Sequence, residues 1–333
     1  QHWPADLDYT AQRVVIIGSG ATAVTLGPAM ADKARSVTIL QRSPTWMTSA
    51  PSVDPLAERL KRRLPARTAH GALRWKNVVM GTFFYQLCQR RPAVAARMLL
   101  GQAAKQLPAD FDIATHLTPT YGPWDQRMCL IPDGDFFNAL SDGSMRMVTD
   151  RIDQFTETGI RLESGEDLEA DIIVSATGLD LVACGGIHLT VDGQPVEPGE
   201  RYVYRGFMLS GVPNLAFSFG YTNASWTLRS DLTARAVCRL LNRMRRRSAR
   251  SVVARPEQAE MPREPFLTLT SGYVARAFEV LPKQGPVAPW RIRQNYILDL
   301  LDARFNDRGD SLIYDEPVGD QPEREMITAT PLA

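Results

Sequence analysis

Two glycines one residue apart, Gly18 and Gly20, separate an apolar run, Val14–Ile17, from a stretch that begins Ala21-Thr22-Ala23. Residue types in this order can hold a pyrophosphate. Gly18 suits a tight turn, Gly20 leaves room for backbone to approach phosphate oxygens, and Ser19 lies between them. Ala23 stands where a third glycine is common, and its methyl still permits close packing of helix on strand. A helix over Ala21–Ala31 would aim free N–H groups and the positive end of its dipole at the anion. A second apolar run, Val37–Leu40, completes a strand–helix–strand unit.

The residues after that second run indicate which dinucleotide fits. A free ribose 2′-hydroxyl usually meets an Asp or Glu here, whereas a 2′-phosphate needs cations and hydroxyl donors. The chain offers Gln41-Arg42-Ser43 and no acid. Arg42 can fork two N–H bonds onto phosphate and Ser43 can add a hydroxyl. NADP is the cofactor this implies, with NAD or FAD as the alternatives.

The elements needed to position these residues can be read along the chain. Its 333 residues suffice for about two domains, and a composition of 44% hydrophobic and 23% charged residues is that of a globular protein. A net charge of +1 gives no reason to expect nucleic acid as a partner. The four cysteines, Cys88, Cys129, Cys184 and Cys238, form no Cys-x-x-Cys pair, which speaks against a dithiol reductase. The four histidines are isolated, so no metal site is expected. No apolar run reaches the ~18–20 residues that span a bilayer, and the expected location is cytoplasmic.

Residues 55–107 carry helical periodicity divided by Pro65 and Pro92, with Trp75, Phe83, Phe84 and Tyr85 expected in the core. The basic clusters Arg59–Arg63 and Arg243–Arg250 read as solvated helix faces, with a weak peripheral affinity for anionic membranes as the alternative. Residues 108–135 read as an irregular loop. Short strands follow at Met145–Thr149, Ile152–Thr156 and Ile160–Leu162, then a buried strand within Asp171–Gly178. Val212–Gly220 reads as another apolar strand and Ser225–Met244 as a helix with Leu228, Leu232, Ala236, Leu240 and Leu241 inside. Residues 245–262 read as a polar linker.

The pieces Gly18–Ala23, Leu40–Pro44, Pro123-Trp-Asp-Gln-Arg127, Ala176-Thr-Gly178, Gly211–Leu215 and Gly220–Trp226 occur in one characteristic order. That order, over residues 1 to about 310, resembles the class B flavin-dependent monooxygenases of Baeyer–Villiger type, and within them the bacterial branch that activates thioamide prodrugs. Trp3-Pro4 matches the end of this family's Phe-x-Gly-x-x-x-His-x-x-x-Trp-Pro fingerprint. The fingerprint His would fall before Gln1, so the resemblance implies an N-terminal segment absent from this sequence, carrying the first glycine turn for FAD.

The resemblance implies an α/β fold: a Rossmann-like NADP-binding domain with a helical insertion, nested in an incomplete FAD-binding domain of the two-dinucleotide-binding flavoprotein type. Residues 1–9 would be a linker, 10–140 the NADP domain with its insert at about 52–118, 141–310 the returning FAD-domain part and 311–333 a flexible tail. The cofactors would be FAD and NADPH, bound through Gly18, Ser19, Gly20, Ala21, Thr22, Ala23, Arg42, Ser43 and Gln126. Thr177, Gly178, Asn223, Ser225 and Trp226 would face the flavin. Arg127 would be the catalytic cation that stabilises the anionic flavin peroxide. Many members have Lys where this chain has Gln126, which shifts phosphate recognition onto Arg42 and Ser43. The expected reaction is oxygenation by O2 of a ketone, or of a sulfur or nitrogen compound. A catalytically incomplete NADP-binding fragment is the alternative, and the isolated chain is expected to bind FAD poorly and to be inactive.

Overall fold

A computed structural model describes residues 3–257, 261–305 and 311–315. The chain divides into two compact units. The first comprises residues 3–181, 222–224 and 267–277, and the second the rest of the described residues.

The first unit is built on four parallel strands. In chain order it contains β1 (Arg13–Ile17), α1 (Ala21–Ala31), β2 (Ser36–Gln41), β3 (Met47–Ala50), α2 (Pro55–Arg63), α3 (Ala66–Arg90), α4 (Pro92–Ala104), α5 (Ile113–Leu117), β4 (Cys129–Pro132), α6 (Asp135–Ser141), β5 (Met145–Thr149), β6 (Ile152–Thr156), β7 (Gly159–Leu162), β8 (Asp167–Glu169) and β9 (Ile172–Ser175). The sheet order is β5-β2-β1-β9, with Ile16 paired to Ile39 on one side and to Val174 on the other. The run Val14–Ile17 is apolar throughout because both sheet faces are covered. Val14, Ile16 and Ile39 pack with Ala23, Met30, Phe136 and Phe137, while Val15 and Leu40 pack with Ile160, Leu162 and Leu168 of the antiparallel β6–β7–β8 sheet.

This unit runs past residue 140, where the resemblance sets a domain boundary, because β5 and β9 pair directly into the sheet of β1 and β2. Arg13 fastens the edge strand β9. Its guanidinium bonds Asp171 at 2.6 and 3.0 Å and Glu169 at 2.5 Å. Pro65 and Pro92 end helices where the sequence indicates, but the aromatics of α3 depart from expectation. Trp75 and Phe83 are 47% and 65% exposed, and Phe84 and Tyr85 are only half-buried. The periodicity is helical, yet only Ala69, Val78 and Cys88 of this 25-residue helix are buried. The expected loop at 108–135 holds α5 and β4, the latter pairing in parallel with β3.

The second unit contains β10 (Leu189–Val191), β11 (Gln194–Val196), β12 (Val203–Tyr204), β13 (Met208–Leu209), α7 (Trp226–Arg246), β14 (Val252–Ala254) and β15 (Glu264–Pro265). After α8 (Gly272–Arg276), which belongs to the first unit, it continues with β16 (Lys283–Gln284), α9 (Tyr296–Phe305) and β17 (Leu312–Tyr314). Its core gathers Tyr204, Phe207, Met208, Leu240, Val252 and Trp290.

Three expectations are corrected in this unit. Val212–Gly220 is not a strand: Pro213 removes a donor, Asn214 has a φ of 57°, and scattered bonds to Leu209, Val252 and Phe207 replace a ladder. The linker at 245–262 contains β14, which pairs with β17, so the tail begins with ordered strand; residues 316–333 lie outside the described residues. Leu241 is 58% exposed, and the inner face of α7 is Leu228, Leu232, Ala236 and Leu240.

Candidate dinucleotide-binding site

The two glycines of the turn are required for different reasons. Gly18 has a φ of 128°, its N–H donates to the Leu40 carbonyl at 2.8 Å, and a Cβ would lie 2.4 Å from the Ala176 carbonyl oxygen. Conformation and the neighbouring strand end both exclude a side chain there. Gly20 has an ordinary φ of −82°, and a Cβ on it would meet nothing within 4 Å. Among the described residues no neighbour demands glycine at this position. The space beside it is free for a ligand.

Gly20 is also the N-cap of α1, which has no side-chain cap bond and no acid in its first turn. Ala21 and Thr22 are exposed at this end, while Ala23 is fully buried against the sheet. An uncapped N-terminus beside open space is a place for an anion.

The polar residues after β2 are held close to this turn. Ser19 Oγ donates to the Ser43 carbonyl at 3.2 Å and shares a 2.7 Å bond with Thr45 Oγ1. Gln41 is buried and donates to the His116 carbonyl at 2.7 Å and to Thr149 Oγ1 at 2.8 Å. That anchor leaves Arg42 and Ser43 exposed at the strand end. The pairing of β3 with β4 brings in the second polar stretch. Cys129 N–H donates to the Trp46 carbonyl at 2.9 Å, and its thiol lies 3.8 Å from the Ser19 carbonyl.

Burial pushes the Cys129 thiol up to about 11, against the opposing charge of Arg127 two residues earlier. Arg127 itself is exposed and takes part in none of the ion pairs formed among the described residues. Its loop is rigid. Asp125 accepts the Gly122 N–H at 2.8 Å, and Thr270 N–H donates to the Asp125 carbonyl at 2.9 Å. Trp124 sits at a φ of 73° with its indole N–H buried and unbonded, a strained position of the kind that gathers at functional sites. Gln126, half-buried, makes a backbone bridge to Pro123.

No family model matches the sequence. The chain is 51% identical over 301 residues to the FAD-containing monooxygenase EthA of Mycobacterium tuberculosis (strain ATCC 25618 / H37Rv), a match covering 90% of this chain and 62% of that protein. The sequence is thus similar to FAD-containing monooxygenases over nine-tenths of its length. The chain spans about 62% of the length of the curated relative it matches.

Among solved structures it resembles an oxidised steroid monooxygenase bound to NADP (TM-score 0.62, 18% identity, 95% of this chain and 69% of that one). It also resembles the OTEMO complex with FAD and NADP (TM-score 0.62, 16% identity, 94% and 70%). The fold is thus the two-dinucleotide-binding flavoprotein type, with the parallel sheet as its Rossmann-like part.

The first unit carries Gly18–Ala23, Arg42, Ser43, Gln126 and Arg127 on segments joined through Ser19, Thr45 and Cys129. Thr177 and Gly178 are exposed just beyond β9, with Gly178 at a φ of 111° against the Tyr273 Cβ. Asn223, half-buried, also belongs to the first unit. Ser225 and Trp226 are exposed in the second. Ser225 is the N-cap of α7, without a side-chain cap bond, and Trp226 packs on Phe219 at 4.9 Å.

Sequence reasoning missed Thr45, Trp124 and Gly27. A Cβ on Gly27 would come 2.6 Å from Met145 Sδ and 3.0 Å from Ile39 Cδ1, so Gly27 sets the close approach of α1 to the sheet beside Ala23. A glycine one turn beyond Ala23 in a helix was the available signal.

Proposed function

We propose that this chain is the NADP-binding and part of the FAD-binding machinery of an NADPH- and FAD-dependent monooxygenase. Its substrates would be small ketones, converted to esters or lactones, and sulfur compounds such as thioamides. The observation that carries this reading is the free space at Gly20 before an uncapped helix, with Arg42 and Ser43 exposed at the neighbouring strand end. The residues present fit both cofactors. The Gly20 cradle takes a pyrophosphate, and the uncapped start of the 21-residue α7 suits an electron-rich ring. When bound, FAD and NADPH supply hydride transfer and O2 activation, with one oxygen reaching the substrate and the other leaving as water.

Each side chain then has a definite task. The first N–H groups of α1 hold the pyrophosphate. Arg42 forks onto the 2′-phosphate and Ser43 donates its hydroxyl. Arg127 provides a permanent cation for negative charge that develops during oxygenation, which a guanidinium does without titrating. The Gly122–Asp125 turn and strained Trp124 fix where that cation stands.

Two substitutions test the reading in a version of the protein that carries the relatives' full length. Arg42→Ala should raise the NADPH KM roughly ten- to a hundredfold, the loss of a charge-assisted pair worth about 1.5–3 kcal/mol, and leave the NADH KM nearly unchanged. Arg127→Ala should keep both cofactors bound and consume NADPH while releasing hydrogen peroxide instead of product. Equal KM changes for both nicotinamides, or normal product yield from Arg127→Ala, would overturn the assignment. Among the described residues no helix is long and apolar enough to cross a membrane. The placement proposed is cytoplasmic, with peripheral contact to the membrane through basic helix faces.

A further inference from the structure

The helical insert concentrates the positive charge of the chain. Residues 55–107 hold eleven lysines and arginines and one acid, Glu58, whereas the whole chain carries a net +1. Arg59, Lys61, Arg62 and Arg63 are exposed on α2, a helix with no buried residue. That helix is fixed in place at its start. Asp54 caps it through Leu56 N–H at 2.9 Å and also pairs with Lys76 of α3.

The exposed surface of α3 adds an apolar stripe to these charges. Trp75, Val79 and Phe83, at four-residue spacing, form one stripe with Met80 at its flank, and they are 47%, 52%, 65% and 60% exposed. Arg67 and Arg74 lie toward one end of the helix and Arg90 and Arg91 at the other. A contiguous exposed row of Trp, Val, Met and Phe is costly in water and marks an interaction surface.

We propose that α2 and α3 form a face that docks onto the surface of an anionic lipid bilayer. The helix would lie in the membrane plane with its Trp–Val–Met–Phe stripe among the acyl chains near the headgroups. The arginines and lysines of α2 and of the ends of α3 would meet the lipid phosphates. An anionic bilayer matches both halves of the surface, the cations and the apolar stripe. An apolar protein partner accounts for the stripe and leaves the excess of cations unexplained, and a nucleic acid does the reverse. A basic, amphipathic helix of modest hydrophobicity bearing Trp and Phe binds an interface and does not span it. The inference rests on the peripheral membrane contact proposed above, and it adds which surface makes that contact and which lipid it selects. It is independent of the oxygenation chemistry.

Flotation of the whole chain with vesicles of phosphatidylcholine alone, or of phosphatidylcholine mixed with phosphatidylglycerol, tests it. Binding is expected to the anionic vesicles, and to weaken as salt is raised. Each of Arg62→Gln and Arg63→Gln should weaken it about fivefold, the worth of one basic residue at an anionic surface. Val79→Ser with Phe83→Ser should weaken it about tenfold or more, with unchanged NADPH affinity and an unchanged circular dichroism melt, because both side chains are exposed. In wild type, lipids with brominated acyl chains should quench fluorescence that Trp75→Phe removes.

Vesicle binding that survives the Val79/Phe83 change would leave peripheral association standing and sink this face as its cause. Equal binding to neutral and anionic vesicles would overturn the lipid selectivity. Absence of vesicle binding would overturn both readings, as would oligomers that the Val79/Phe83 change converts to monomers with no effect on vesicles.

Discussion

Gly18 and Gly20 should separate cleanly when each receives a side chain. At Gly18, alanine would have to adopt a φ near 128° and place its Cβ 2.4 Å from the Ala176 carbonyl oxygen. Backbone strain of about 1–3 kcal/mol and an overlap at β9 worth another ~1–3 kcal/mol give a loss of about 2–6 kcal/mol. For a unit of this size that corresponds to roughly 4–24 °C in Tm. At Gly20 the φ of −82° and ψ of −176° are those of a normal N-cap, with empty space beyond. Serine is a favourable residue there, so Gly20→Ser should leave Tm unchanged or raise it by the few tenths of a kcal/mol that a serine cap adds over glycine. Its hydroxymethyl group would occupy the volume assigned to the pyrophosphate, weakening NADPH roughly ten- to a hundredfold, or about 1.4–2.8 kcal/mol. Scanning fluorimetry and calorimetric titration with NADPH read the two effects separately. A destabilised Gly20→Ser protein, or one that binds NADPH normally, would refute the assignment of that space to the cofactor. A fully stable Gly18→Ala protein would refute the steric account of the turn.

Other outcomes follow from the same geometry. Arg13 and backbone N–H bonds hold the Asp171 carboxyl down to about 2, below its usual 3.8, so the stabilisation it provides is complete above pH 3.8 and disappears as pH falls through about 2. Acid unfolding of wild type and Arg13→Met, compared pH by pH, should show a gap that closes over that window, and a pH-independent gap would count against it. Cys184 and Cys238 are exposed, whereas Cys88 and Cys129 are buried with thiols raised to about 11, so Ellman's reagent should label two thiols in the native protein and four in denaturant. In the second unit Asp299 accepts from Tyr221 at 2.6 Å and from Arg229 at 2.9 Å, and both partners are buried. Asp299→Leu should cost about 3–5 kcal/mol by stranding the Arg229 charge, and adding Arg229→Leu should restore part of it in denaturant melts.

The strand–turn–helix was legible because the demands there are local. A φ of 128° at Gly18 and an open N-cap at Gly20 are written into residue type, and the apolar run of β1 announces a strand covered on both faces. The failures arose where pattern and partner diverge. The Val212–Gly220 run has the hydrophobicity of a strand, yet Pro213 and the left-handed Asn214 take it out of any ladder, and hydrophobicity alone does not report the missing neighbour. The apolar spacing of α3 gave the right element and the wrong surroundings, since periodicity marks a face without saying what covers it. Trp124 stayed hidden because strain belongs to φ, which a tryptophan codon does not disclose.

The arrangement around the turn also shows why a small set of polar residues can be spread over more than a hundred positions. Ser19, Thr45 and Cys129 lie in three separate segments, and a hydroxyl pair and a thiol contact join them at the ends of β1, β2 and β4. These contacts hold the segments that carry Gly20, Ser43 and Arg127 next to one another. Thr45→Val keeps the side-chain volume and removes the 2.7 Å hydroxyl bond, so it should loosen the register between the turn and the Arg42–Ser43 strand end. The expected result is a weaker discrimination between NADPH and NADH at nearly constant Tm, with about 1 kcal/mol, or roughly fivefold, lost from the NADPH preference. A Thr45→Val protein with its NADPH preference intact would show that Arg42 and Ser43 are positioned by β2 alone.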